Sequence, residues 1–108
     1  MSRLEKLQQF LALDPDDSFT KYAIGLEYAS MKEYARAIVN FEELLAKDPS
    51  YIATYYQLAD AYRQAGNVDK AVETYKTGIA AARKANDLHT VSELQTAWDE
   101  LEDELMGN

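Results

Sequence analysis

The chain repeats itself at a fixed interval. Residues 18–51 lie over residues 52–85 without a gap, and an offset of 34 pairs Tyr22 with Tyr56, Ile24 with Leu58, Gly25 with Ala59 and Tyr28 with Tyr62. Further along, it pairs Ala37 with Ala71, Ile38 with Val72, Phe41 with Tyr75 and Leu45 with Ile79. A period of this length decides the architecture, because each unit is one supersecondary element that can bury its apolar face only against its neighbours. The same offset runs backwards: Asp14-Pro15 falls on Asp48-Pro49, and Leu4, Leu7, Leu11 and Ala12 fall on Ile38, Phe41, Leu45 and Ala46. An incomplete repeat therefore precedes two complete ones.

Within a repeat the apolar residues recur at intervals of three and four, the spacing of a helix face. Ile24, Tyr28 and Met31 mark a first helix; Tyr34, Ile38, Phe41 and Leu45 mark a second. Each Asp-Pro closes a helix, since proline disfavours helical geometry in the residue before it and donates no hydrogen bond. Ser18 and Ser50 are expected to cap helix starts, and Gly66-Asn67 to break the second repeat. The expected helices span 3–13, 18–31, 34–47, 51–65, 68–85 and 88–105.

Lys21-x2-Ile24-Gly25-x2-Tyr28, Ala37-x3-Phe41 and Pro49 in the first repeat, with Tyr55-x2-Leu58-Ala59-x2-Tyr62 and Ala71-x3-Tyr75 in the second, resemble the tetratricopeptide-repeat (TPR) pattern. The resemblance covers 18–85 directly and 3–17 by extension. It implies an all-α, right-handed solenoid of about six antiparallel helices in one domain: an N-terminal half-repeat helix (3–13), repeat one (18–51), repeat two (52–85) and a C-terminal capping helix (88–105). Two positions depart from the pattern. Lys21 stands where a large apolar residue is usual, and Arg83 where proline is usual, so the helix ending there should run on. Gly25, Ala37, Ala59 and Ala71 let helices approach closely, and Tyr28, Phe41, Tyr62 and Tyr75 fill the space beside them.

Two full repeats fall short of the three that usually make a stable stack, so both ends matter. Leu4, Leu7, Phe10 and Leu11 would cover repeat one. In the last segment Val91, Leu94, Trp98, Leu101 and Leu105 are spaced three, four, three, four, a seam that either caps the preceding helix or pairs with its copy in a second chain. Leu94, Trp98, Leu101 and Leu105 are the candidates for that alternative role, a structural homo-oligomerisation module forming a weak homodimer.

Charge narrows the function classes. Residues 1–84 hold twelve acids and eleven bases, whereas 85–108 hold seven acids and neither Lys nor Arg. An acidic surface repels phosphates and anionic lipid, which argues against nucleic-acid and membrane partners. No apolar run reaches the ~20 residues of a membrane span, and no signal peptide is apparent; cytoplasm is the expected location. With no cysteine and His89 the only histidine, neither a metal centre nor a nucleophile–histidine–acid arrangement has the residues it needs. No glycine-rich phosphate loop occurs. The chain is expected to be a binding scaffold without cofactor or metal, and not an enzyme.

In TPR proteins the first helix of each repeat lines a concave groove. The resemblance places Phe19, Tyr22, Leu26 and Ala29 there from repeat one, and Ala53, Tyr56, Asp60 and Arg63 from repeat two. Amphipathic aromatics on such a face suit a peptide or helix of another protein. The positions that grip chaperone carboxylates in some TPR proteins are here Tyr22, Leu26 and Gln57, which carry no positive charge. The expected partner instead bears apolar anchors and a few bases.

Overall fold

In the computed structural model, which describes residues 1–107, the chain is six helices and the turns between them. They are α1 (Arg3–Leu13), α2 (Ser18–Ser30), α3 (Tyr34–Lys47), α4 (Ala53–Gln64), α5 (Val68–Lys84) and α6 (Leu88–Leu105). Each packs on the next in sequence, and α2 also touches α4. The result is a two-layered stack measuring 44 × 30 × 19 Å, with α2, α4 and α6 along one side and α1, α3 and α5 along the other.

The period translates directly into burial. Ala37, Phe41, Ala59 and Ala71 are fully buried, and Tyr75 nearly so. Gly25 is small because a Cβ there would overlap the Phe41 ring. Gly78 is small for a different neighbour: a Cβ would lie 2.6 Å from the Tyr55 Cβ and 3.0 Å from Leu94 Cδ1, so α5 presses on α4 and α6 together. Full burial of a Phe41-sized side chain is worth about 1.5–3 kcal/mol each time it occurs.

The helix ends differ from expectation in an instructive way. Ser18 does not cap α2; Asp17 does, its carboxylate accepting from the Thr20 backbone N–H at 3.0 Å and from the Thr20 hydroxyl. Ser18 is the first helical residue and donates to Asp48 Oδ2 at 2.7 Å. Ser50 caps nothing either, since its hydroxyl turns back to Asp48 Oδ1 at 2.9 Å and α4 starts three residues later. One carboxylate thus collects both serines and ties the α3–α4 turn to the start of α2. Gly66 takes a left-handed φ of +83°, the conformation that the Gly-Asn break requires. With Arg83 in place of proline, α5 runs on to Lys84 and reaches 17 residues against the 14 of α3.

The two ends of the stack are finished unequally. At the C-terminal end Leu94, Ala97 and Leu101 are buried against the preceding helices. Trp98 is half-buried under Lys76, whose ammonium lies 5.5 Å from the ring centroid. At the N-terminal end α1 contributes no buried residue. It is held by a capping box between Ser2 and Glu5, by half-buried Leu4, Leu7 and Leu11, and by an Arg3–Glu27 pair at 3.3 Å.

Candidate functional site

The first helices of the repeats leave a cleft along the α2–α4–α6 side. Tyr22 from α2, Ala53, Tyr56 and Gln57 from α4, and Asp87, Thr90 and Glu93 from the start of α6 enclose about 440 Å³. A second hollow of about 270 Å³ continues it along α6, lined by Tyr56, His89, Ser92, Glu93, Thr96, Ala97 and Glu100. Tyr56 and Glu93 belong to both, so the two hollows form one trough, with Tyr56, 39% exposed, at its middle.

Tyr22 is held from two sides. Its ring lies 6.1 Å from that of Phe41 and 5.4 Å from that of Tyr51, tilted in both cases, a spacing at which aromatic edges and faces attract. Burial pushes its phenol above the ordinary value, against the pull of the neighbouring Gln57 side chain. The hydroxyl therefore keeps its proton at neutral pH and can both donate and accept.

Tyr51 occupies the position, 34 residues on, of the capping Asp17. The Tyr51 side chain does not accept from the helix start, where the Thr54 N–H donates instead to the Tyr51 carbonyl at 3.1 Å, and α4 has no side-chain cap. The cost is visible at Thr54, the counterpart of Thr20: its buried hydroxyl has no hydrogen-bond partner. The second repeat thus carries an aromatic ring beside the cleft where a capping carboxylate would have stabilised its own helix.

Arg63, expected in the groove, is engaged within the fold. Its guanidinium pairs with Glu104 of α6 and reaches the Tyr75 hydroxyl. Burial opposes its charge, but those two partners outweigh burial and hold it above its ordinary value. The same guanidinium pulls against the burial that raises the Tyr75 phenol. Arg63 joins α4 to α6, and no Lys or Arg lines either hollow. The ionisable lining is Asp87, Glu93 and Glu100 with His89, whose Nε2 is 3.5 Å from Glu93.

Of the residues expected in the groove, Tyr22 and Tyr56 come together in one cleft. Leu26 is half-buried against the core, Phe19 is 65% exposed at the first turn of α2 and outside both hollows, and Asp60 is half-buried near Tyr75. Of the α6 seam, Leu94 and Leu101 are buried within their own chain, Trp98 is half-buried and Leu105 exposed. Tyr51, Thr90, Glu93 and Glu100 were missed. α6 opens late, because α5 overruns its usual stop, so the 34-residue register cannot be carried into it. A legible signal was the pair Asp17/Thr20 and Asp87/Thr90, which marks equivalent first turns of α2 and α6.

Among the described residues no helix is long and apolar enough to cross a membrane, and no group of three His, Cys, Asp or Glu is placed to hold a metal ion.

Comparison with known proteins gives concordant results. A tetratricopeptide-repeat family model matches residues 28–96. A TPR repeat-containing protein of Pseudomonas aeruginosa is 25% identical over 91 residues, 84% of this chain and 87% of its own. The solution structure of a tetratricopeptide repeat domain protein from Salinibacter ruber is 40% identical with a TM-score of 0.78, covering 83% of this chain and 91% of that one. A yeast Sti1 TPR2B domain, solved as a complex with pHsp70, shares the fold at a TM-score of 0.87 and 16% identity, covering 94% of this chain and 81% of that one.

Proposed function

Because this chain belongs to the tetratricopeptide-repeat family, a fold that generally mediates protein–protein interaction, we propose that it is a non-catalytic scaffold whose α2–α4–α6 trough takes a peptide or helix of another protein. The binding unit is the single domain with repeats at 18–51 and 52–85, closed by α6. The observation that carries the reading is that Tyr22 and Tyr56 line one cleft, with the Tyr51 ring tilted against that of Tyr22. Rigid phenols bury area at low entropic cost and keep a hydroxyl for orientation, which is why they serve as anchors. The solved complex of the Sti1 domain with pHsp70 is a precedent for partner binding on this fold.

The lining also favours one kind of peptide. Glu93, Glu100 and Asp87 face the trough while Arg63 is neutralised by Glu104, so a segment with apolar anchors and one or more Lys or Arg side chains complements it. A terminal carboxylate would meet like charge. Self-association through α6 is the less favoured reading, because Leu94 and Leu101 would have to leave their own core to reach a second chain.

The test is fluorescence polarisation with three labelled peptides of equal length: basic with Leu and Tyr anchors, acidic with the same anchors, and basic without anchors. The first should bind best, weaken as salt rises, and lose at least about tenfold in affinity when Tyr22 and Tyr56 are both changed to Ala, with the circular dichroism spectrum unchanged. Equal binding of the acidic peptide, or an undiminished affinity in the double variant, would overturn the reading.

A further inference from the structure

The unfinished end of the stack is the N-terminal one, and the internal repeat shows what it lacks. Arg3, Leu7 and Phe10 correspond, at the 34-residue offset, to Ala37, Phe41 and Leu44, all fully buried in α3 because α2 lies on them. Among the described residues only α2 packs on α1. Phe10 is 59% exposed and Leu13 84%, and Phe19, in the first turn of α2, is 65% exposed.

The opposite end cannot supply the missing helix in a head-to-tail stack. Eight residues after its capping aspartate, α2 has Gly25, where the Phe41 ring sits; eight after its own capping aspartate, α6 has exposed Gln95. That side chain occupies the place a following helix would need, and it is satisfied by Asp99 at 3.0 Å, as Trp98 Nε1 is by Glu102 at 2.8 Å. Gln95 thus blocks the close packing that Gly25 allows on α2, so a repeating filament has no matching surface. A pairing of two like ends remains.

We propose that the face formed by α1 and the first turn of α2 is where two copies of this chain meet, with α1 antiparallel to α1 of the second copy. Charge selects that occupant. α1 begins with Arg3 and Lys6 and is followed at its far end by Asp14 and Asp16, so a two-fold axis near Phe10 sets Lys6 opposite Asp14 and Arg3 beside Asp16 of the other copy. Phe10 then meets its own copy at the axis, with Leu13 one turn further along. Arg3, standing where α3 has Ala37, obstructs the close approach an apolar foreign helix would need and calls for a carboxylate opposite. Its contact with Glu27 leaves its side chain 73% exposed for one. A helix of this length is about 16 Å long, so the contact is smaller than the ~800 Å² per partner of a standard interface and the dimer is weak, with a Kd on the order of 100 μM.

Sedimentation equilibrium of the full chain from about 10 μM to 1 mM tests this. The expected result is a mass rising with concentration from 12.2 kDa towards twice that value and no further, with weaker association at high salt. Phe10→Glu with Leu13→Glu should hold the chain monomeric without altering its helical spectrum. Arg3→Glu with Lys6→Glu, and separately Asp14→Lys with Asp16→Lys, should each raise the dimer Kd at least about tenfold, while an equimolar mixture of the two should associate like the wild type. A single 12.2 kDa species throughout, species beyond the dimer, or association lost on Trp98→Glu but kept in Phe10→Glu/Leu13→Glu would overturn it.

Discussion

The ring of Tyr51 lies 5.4 Å from that of Tyr22 and tilted by 49° to it, although Tyr51 holds the position at which the first repeat has its capping aspartate. Capping and ring contact cannot both be had at one residue, and this chain has the ring. Tyr51→Asp should supply a side-chain acceptor for the Thr54 hydroxyl, as Asp17 does for Thr20, a gain of about 1 kcal/mol, against the loss of an aromatic contact worth about 0.5–1.5 kcal/mol. Calorimetry should therefore find Tm within a few degrees of wild type, while affinity for the basic anchored peptide falls several-fold. A large fall in Tm would mean that Tyr51 serves the fold and not the cleft.

The two helical glycines rank differently. Gly78→Ala brings a methyl against the Cβ of Tyr55, an atom fixed to the α4 backbone, so α5 must move from α4; Gly25→Ala meets the Phe41 ring, which can tilt. Gly78→Ala should destabilise by about 2–3 kcal/mol even after the helix-propensity gain of about 1 kcal/mol, and Gly25→Ala by less. Urea melts of both variants decide the order. The reverse ranking would show that the buried Phe41 ring cannot yield to a methyl at Gly25.

Arg63 should behave as a strut. Arg63→Ala removes its contacts with Glu104 and Tyr75. Because its side chain is mostly sheltered, the loss should be on the order of 1–2 kcal/mol. Hydrogen exchange should accelerate selectively in the last turns of α6, with little change in α2 and α3. Affinity for an acidic peptide, already poor, should not fall further; if it does, Arg63 contacts ligand.

Acid should loosen the junction around Asp48. Hydrogen bonds from Ser18 and then Ser50 hold its carboxyl below the ordinary value of 3.8, so folding favours the ionised form. A depressed carboxylate contributes stability that is present above its unfolded pKa and lost as pH falls through the folded one. Asp87 shifts the same way through its bonds to Thr90. Thermal melts of wild type and Asp48→Asn should show wild type more stable at pH 7, with the difference shrinking as pH falls below about 4. A difference independent of pH would show that Asp48 acts without its charge.

Much of the fold was legible because repetition supplies its own control. Ala37 with Ala71, or Phe41 with Tyr75, is evidence that one residue alone could not give, since the same packing problem has been solved twice in one chain. The overrun at Arg83 was legible too, as a missing proline. The cleft was only half legible. Tyr22 and Tyr56 follow from the period, but Arg63 looked like a free cation for the groove because its partner lies 41 residues away, and no local pattern pairs it with Glu104.

The sequence by itself determined the number of helices, their order and, Phe10 of α1 apart, the faces they bury, because those depend on spacings of three, four and thirty-four that are written along the chain. Only the tertiary structure decided which polar groups are left to a partner. That depends on contacts between residues far apart: Arg63 taken by Glu104, both serines gathered by Asp48, Tyr51 laid against Tyr22, and α6 brought round so that its acids wall the trough. Side-chain periodicity is a one-dimensional property, whereas the satisfaction of charge and hydrogen bonding is settled where distant segments meet.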